Sequence, residues 1–150
     1  MQILCFELVE LDVAAEKARE FQEEIRKFAE TSPLNRVEEG DPKVGVISSG
    51  ISYEYARDAF PEATFLKLGM SFPFPIEMAT EFCSRFETVY VVEENEPFIE
   101  EHLRYSGVTN IIGKDRVPLC RSSSPSRICR RLRARAPQRW IWISTSSQSR

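Results

Sequence analysis

Small polar residues at one predicted strand-to-helix turn are the first place where this sequence could do chemistry. The stretch is Ile47-Ser-Ser-Gly-Ile-Ser52, in which Ser48, Ser49 and Gly50 follow a short apolar run. Free backbone amides at the start of a helix can bind a phosphate group, so these three residues are candidate ligand-binding residues. The stretch is not the multi-glycine dinucleotide fingerprint, and no P-loop lysine follows it. We therefore favour the alternative, in which a serine caps the helix and Gly50 allows the chain to turn.

A second candidate is the acidic run Glu93-Glu-Asn-Glu96, which follows another apolar segment. Open α/β sheets bind ligands where their strands end, and clustered carboxylates there could hold Mg²⁺ or serve as acid and base. No paired ligand is recognisable elsewhere in the sequence. We therefore favour a solvated acidic loop, with Glu96 near the positive end of the following helix.

Cysteine and histidine give no catalytic or metal motif. Cys5, Cys83, Cys120 and Cys129 never approach a C-x-x-C spacing, and His102 is the single histidine. Zinc and iron–sulfur signatures are therefore missing from the sequence. A histidine without a partner is not a triad, and we expect His102 to be a surface or half-buried helix residue. The residues alone predict no catalytic residue, no metal site, and free thiols in a reducing cytoplasm.

The elements that must position these residues alternate between helix and strand. Helical spacing predicts helices over 13–30, 51–60, 76–86 and 98–105, and apolar β-branched runs predict strands over 44–47, 64–68, 88–92 and 108–112. Short connections between them predict an α/β fold, an open and mostly parallel sheet of about four to five strands with helices on both faces. The first helix groups its apolar residues on one face (Ala14, Ala18, Phe21, Ile25, Phe28), with Asp12 as its N-cap. Residues 1–12 remain uncertain, as a short strand or a disordered start.

Charge divides the chain into two parts. Residues 1–115 hold all 23 acidic and 11 of the 20 basic residues, a net charge of −12, whereas nine arginines and no acids follow. We predict one domain over 13–118 and an Arg/Ser-rich, low-complexity tail over 119–150 that is disordered. Such a tail resembles a nucleic-acid arm, but the acidic body would repel the phosphate backbone. Because lysine is missing and the acids stop abruptly, we favour a shifted reading frame, which sequencing of the locus would reveal.

Five blocks of sequence together resemble one protein family. They are Ser32-Pro-Leu-Asn-Arg36, Lys43-Val-Gly-Val-Ile-Ser-Ser-Gly-Ile-Ser-Tyr-Glu-Tyr55, Phe65-Leu-Lys-Leu-Gly-Met-Ser-Phe-Pro-Phe-Pro75, Val89-Tyr-Val-Val-Glu-Glu-Asn-Glu-Pro-Phe-Ile-Glu-Glu101 and Gly113-Lys-Asp115. The run, which covers about residues 15–118, is similar to the middle segment of the alpha subunit of indolepyruvate ferredoxin oxidoreductases. Five blocks in the same order are far more specific than any one of them.

The resemblance implies a transketolase C-terminal-like domain with four parallel strands and one antiparallel strand. For the full-length parent it implies thiamine diphosphate, Mg²⁺ and iron–sulfur clusters, and oxidative decarboxylation of aryl pyruvates to aryl-acetyl-CoA with ferredoxin as electron acceptor. The implied partners are neighbouring thiamine-binding domains and a beta subunit. The family's cysteine-rich motif and thiamine motifs do not match this sequence, so none of its catalytic or cofactor residues can be carried over.

We therefore expect a fragment that serves as a scaffold and subunit contact, with no cofactor of its own and no activity alone. The alternative is a free-standing α/β module that binds a phosphate-bearing ligand at Ser48–Gly50, or a partner protein through Phe72 and Phe74. The N-terminal residues lack a secretory signal and no apolar run is long enough to cross a bilayer, so the expected location is the cytoplasm, without a membrane partner.

Overall fold

The computed structural model describes residues 2–114 and, within the first helix, side chains from residue 15 onward. The helices are α1 (Gln2–Thr31), α2 (Gly50–Ala59), α3 (Ile76–Ser84) and α4 (Phe98–Tyr105). The strands are β1 (Asn35–Glu38), β2 (Asp41–Ser49), β3 (Ala63–Leu68), β4 (Val89–Val92) and β5 (Ile111–Ile112). The predicted tail, residues 119–150, and the predicted domain end, 115–118, lie outside the described residues.

The strands form one sheet in the order β1-β3-β2-β4-β5, in which only β1 is antiparallel to its neighbour. The α/β prediction is confirmed, including the four parallel strands and the single antiparallel one that the resemblance implied. The last parallel strand is shorter than predicted, since β5 holds only Ile111 and Ile112. No helix among the described residues is long and apolar enough to span a membrane.

Helices cover both faces of the sheet because successive connections run in opposite directions. Right-handed crossovers place α2, which leads from β2 to β3, on one face, and α3 and α4, which lead back across the sheet, on the other. Two apolar cores result. The core on the α2 side includes Val46, Phe65 and Tyr90, and the other core includes Leu66 and Val91.

The first helix differs most from its prediction. It begins at Gln2, so Asp12 lies inside α1 and is not its N-cap, and residues 2–12 are helical. The expected apolar face is not covered by the described body, because Phe21 is 62% and Phe28 is 53% exposed. Among the side chains of α1 from residue 15 onward, those that pack against the domain lie in its last turns, where Ala29 is buried.

Candidate functional site

The described residues form a cleft of about 240 Å³ at the carboxyl ends of β2 and β4. The chain leaves β2 towards α2 on one face of the sheet and leaves β4 towards α4 on the other face. This divergence is the topological switch point, where open α/β sheets bind their ligands. The lining residues, called the carboxyl-edge cleft below, are Ser49, Gly50, Ile51, Ser52, Ser71, Glu93, Glu94, Asn95, Glu96, Phe98 and Ile99.

Ser48 does not line this cleft, although it was a candidate ligand-binding residue. It is fully buried, and its hydroxyl donates to the carbonyl oxygen of Val92 at 2.8 Å. The hydroxyl of Ser52 lies 3.0 Å from that of Ser48 and donates to the carbonyl oxygen of Ser49 at 2.6 Å. These hydroxyls therefore join β2 to β4 and tighten the first turn of α2.

Ser49 and Gly50 do line the cleft, where they begin α2. Ser49 has the extended backbone of an N-cap residue, yet its hydroxyl makes no capping hydrogen bond, so the predicted side-chain cap is wrong for this residue. Gly50 has φ of +54°, and a Cβ there would meet no atom within 4 Å. Glycine is therefore needed for its left-handed backbone and not for space. The backbone amides at the start of α2 form the positive end of the helix dipole, which favours an anion.

The acidic run on the opposite side of the cleft divides into one buried and three exposed residues. Glu93 is only 5% exposed, while Glu94, Asn95 and Glu96 are exposed. The expectation of a wholly solvated loop is therefore wrong at Glu93. Carboxylates facing the α2 N-terminus disfavour a phosphate in the same cleft, because like charges repel.

Glu96 stands just before α4, as expected, but the carboxylate that binds the free amides at the start of α4 belongs to Glu93. Its carboxylate accepts hydrogen bonds from the amides of Ile99 at 2.8 Å and Glu100 at 3.2 Å. Burial raises the pKa of Glu93, and the two amides together with the charge of Lys114 offset part of that rise. The Lys114 ammonium also donates to the Glu93 backbone carbonyl, which ties the end of the sheet to the same loop.

A second buried carboxylate, Glu100, fixes α4 to the residues after β5. Glu100 accepts from the Lys114 amide at 2.8 Å and pairs with the Arg104 side chain at 2.8 Å. A Cβ at Gly113 would overlap the Glu100 carboxylate, so any other residue there would have to displace a carboxylate that is bonded to Lys114 and Arg104. The sequence analysis did not predict these hydrogen bonds of Glu93 and Glu100. The usable signal was a glutamate directly after the fully apolar β4, where a solvated side chain is not expected.

Asn35 is a buried polar residue at the other edge of the sheet, and its side chain also binds backbone groups of other segments. The sequence analysis did not predict this role. Asn35 is 4% exposed, donates to the carbonyl oxygen of Ala29 at 2.9 Å and accepts from the Met70 amide at 2.8 Å. The carboxylate of Glu30 accepts from the amides of Glu77 and Met78 at 3.0 and 2.9 Å, which caps α3. The end of α1 is thus bonded to β1 and to α3, and β1 is bonded to the loop after β3.

The two loop phenylalanines separate in the structure. Phe74 is buried, and its ring centroid lies 6.0 Å from that of Phe98 and 4.9 Å from that of His102. It is therefore a core residue, which contradicts the interpretation of Phe74 as a partner-facing residue. Phe72 is 77% exposed, and its role stays a prediction. His102 is half-buried as expected, with Nδ1 2.8 Å from the Phe98 carbonyl oxygen.

The described residues offer no donor set for the metals of the implied parent. Among them, no three His, Cys, Asp or Glu side chains are grouped to hold a metal ion. Cys83 is buried, and burial raises its pKa to about 12, so it stays a thiol at neutral pH. Cys83 belongs to no group of three or more ligating side chains among the described residues, so the structure shows no iron–sulfur ligand set around it.

Comparison with known proteins gives matches over part of the chain. No protein-family model matches it. It is 38% identical over 96 residues to indolepyruvate oxidoreductase subunit IorA of Archaeoglobus fulgidus, covering 61% of this chain and 15% of the relative. The IorA subunit of Pyrococcus horikoshii is 40% identical over 110 residues, which cover 64% of this chain and 17% of the relative. For the IorA subunit of Methanothermobacter thermautotrophicus, identity is 41% over 86 residues, with 53% and 14% covered.

One solved structure, a 2-oxoglutarate:ferredoxin oxidoreductase from Magnetococcus marinus with 2-oxoglutarate, coenzyme A and succinyl-CoA bound, is 19% identical over 67% of this chain and 19% of that chain, with a TM-score of 0.45. A score this low adds nothing to the sequence matches. The matched part of this chain spans about a sixth of the length of the curated relatives. Over the matched residues, the chain is therefore similar to one segment of indolepyruvate oxidoreductase subunit IorA.

Proposed function

We propose that this chain is a scaffold and subunit-contact segment of an IorA-type indolepyruvate oxidoreductase subunit, without an active site of its own. The proposal rests on identities of 38–41% to subunits named IorA over 86–110 residues. The whole enzyme would decarboxylate aryl pyruvates oxidatively to aryl-acetyl-CoA in the cytoplasm and pass electrons to ferredoxin. Thiamine diphosphate, Mg²⁺ and iron–sulfur clusters, the neighbouring thiamine-binding domains and a beta subunit would belong to that larger assembly.

The hydrogen bonds of the buried polar side chains support a scaffold role. Glu93, Glu100 and Asn35 are buried, and each binds backbone amides or carbonyls of other elements. Ser48 is occupied in the same way by the carbonyl of Val92. Groups engaged in this manner hold helices and strands in place. No described buried side-chain polar atom lacks a hydrogen-bond partner.

A segment exchange tests the scaffold role. In the Archaeoglobus fulgidus subunit, the segment that matches this chain is replaced by the corresponding residues of this chain. We expect the hybrid to assemble with its partner subunit and to oxidise indolepyruvate, whereas this chain alone shows no turnover with indolepyruvate, coenzyme A and an electron acceptor. The matched control is a hybrid carrying Glu94→Ala, an exposed position that should change neither result. A soluble, folded hybrid that does not assemble, or turnover by this chain alone, would contradict the proposal.

A second candidate function is a free-standing module that binds a phosphate-bearing ligand at Ser49 and Gly50. Two observations favour it, the position of the carboxyl-edge cleft at the switch point and the absence of a Ser49 side-chain cap on α2. The exposed carboxylates of Glu94 and Glu96 weigh against it. Titration of the full chain with inorganic phosphate and ATP, followed by amide chemical shifts, tests it. Saturable shifts at Ser49 and Gly50, with Ser106 as the distant control, would support this function, and unchanged shifts would remove it.

A further inference from the structure

We draw no further inference here: the strongest candidate, the exposed apolar face of α1 around Phe21 and Phe28, carries no proposal because nothing in the structure shows what covers it.

Discussion

Replacing Glu93 tests whether a buried carboxylate holds the start of α4. In Glu93→Ala the amides of Ile99 and Glu100 lose their acceptors while both residues stay buried. A buried donor without a partner costs about 1–3 kcal/mol. The variant also removes the cost of burying a charge, which the raised pKa of Glu93 indicates. We therefore expect the free energy of unfolding to fall by about 2–4 kcal/mol.

Urea unfolding followed by far-UV circular dichroism gives that free energy for the full chain. The matched control is Glu94→Ala, because Glu94 is exposed and an exposed substitution changes stability by about 0.5 kcal/mol or less. Hydrogen exchange adds a local readout, in which the amides of Ile99 and Glu100 should exchange faster in Glu93→Ala than in the control. A Glu93→Ala variant as stable as the control, with unchanged protection of both amides, would refute the capping role.

The pH dependence tests the electrostatic part of the same reasoning. Burial raises the pKa of Glu93 above its ordinary 4.5, so the folded protein binds this proton more tightly than the unfolded chain does. The stabilisation from protonated Glu93 is therefore fully present below about pH 4.5 and is lost as pH rises through the folded pKa. Glu93→Gln does not titrate. From pH 4.5 upward, the unfolding free energy of the natural chain should fall relative to that of Glu93→Gln, and the opposite slope would contradict the assignment.

Three further predictions concern the hydrogen bonds of Asn35, the contact between Gly113 and Glu100, and the buried thiol of Cys83. Asn35→Ala leaves the Ala29 carbonyl and the Met70 amide without partners, and should lower the unfolding free energy by about 2–4 kcal/mol, whereas exposed Asn95→Ala should not; equal stability of the two variants in urea would contradict this. Gly113→Ala should lower the unfolding free energy by about 1–3 kcal/mol, because the new methyl group meets the Glu100 carboxylate. The loss should be clearly smaller in a Glu100→Ala background, where that carboxylate is gone, and a double-mutant cycle with additive losses would rule out the close approach. With Cys5, Cys120 and Cys129 changed to Ser, Cys83 should resist iodoacetamide at pH 8 until urea unfolds the chain, and alkylation of the native protein at the unfolded rate would count against burial.

The sequence was sufficient to predict β2, β3 and β4, because each contains at least four consecutive buried residues, most of them apolar. It could not show β1 by pattern alone, since Arg36 and Glu38 are charged and the strand exists through its pairing with β3, in which Arg36 lies opposite Lys67. Pairing between segments that are distant along the chain produces no periodic pattern of apolar residues within the strand itself. The start of α1 was missed for a different reason, because Asp12 fits an N-cap as well as a helix interior.

The site was less predictable than the fold. The acidic run offers three glutamates of identical chemistry, and the amides at the start of α4 bind Glu93; the sequence distinguishes Glu93 only by its place directly after β4. The same holds for the serines at the end of β2, where the strand register places Ser48 beside Val92 and its hydroxyl donates to the Val92 carbonyl. The sequence identified the polar residues at the ends of β2 and β4, but their roles depend on how the strands and helices pack in three dimensions.

The blocks that carry the family resemblance are bonded to one another in the structure. Asn35 of the first block binds Met70 of the third. Ser48 of the second block binds Val92 of the fourth.

Glu100 of the fourth block binds Lys114 of the fifth. Each bond joins segments that are distant along the chain and pairs a side chain with a backbone group. Replacing Asn35 or Glu100 therefore leaves the amide of Met70 or Lys114 without that acceptor, at a cost of about 1–3 kcal/mol. Such a constraint favours these residue types through the geometry of the fold, whether or not a reaction occurs nearby. The hydrogen bonds between the blocks therefore give a structural reason for the five blocks to occur together in one chain.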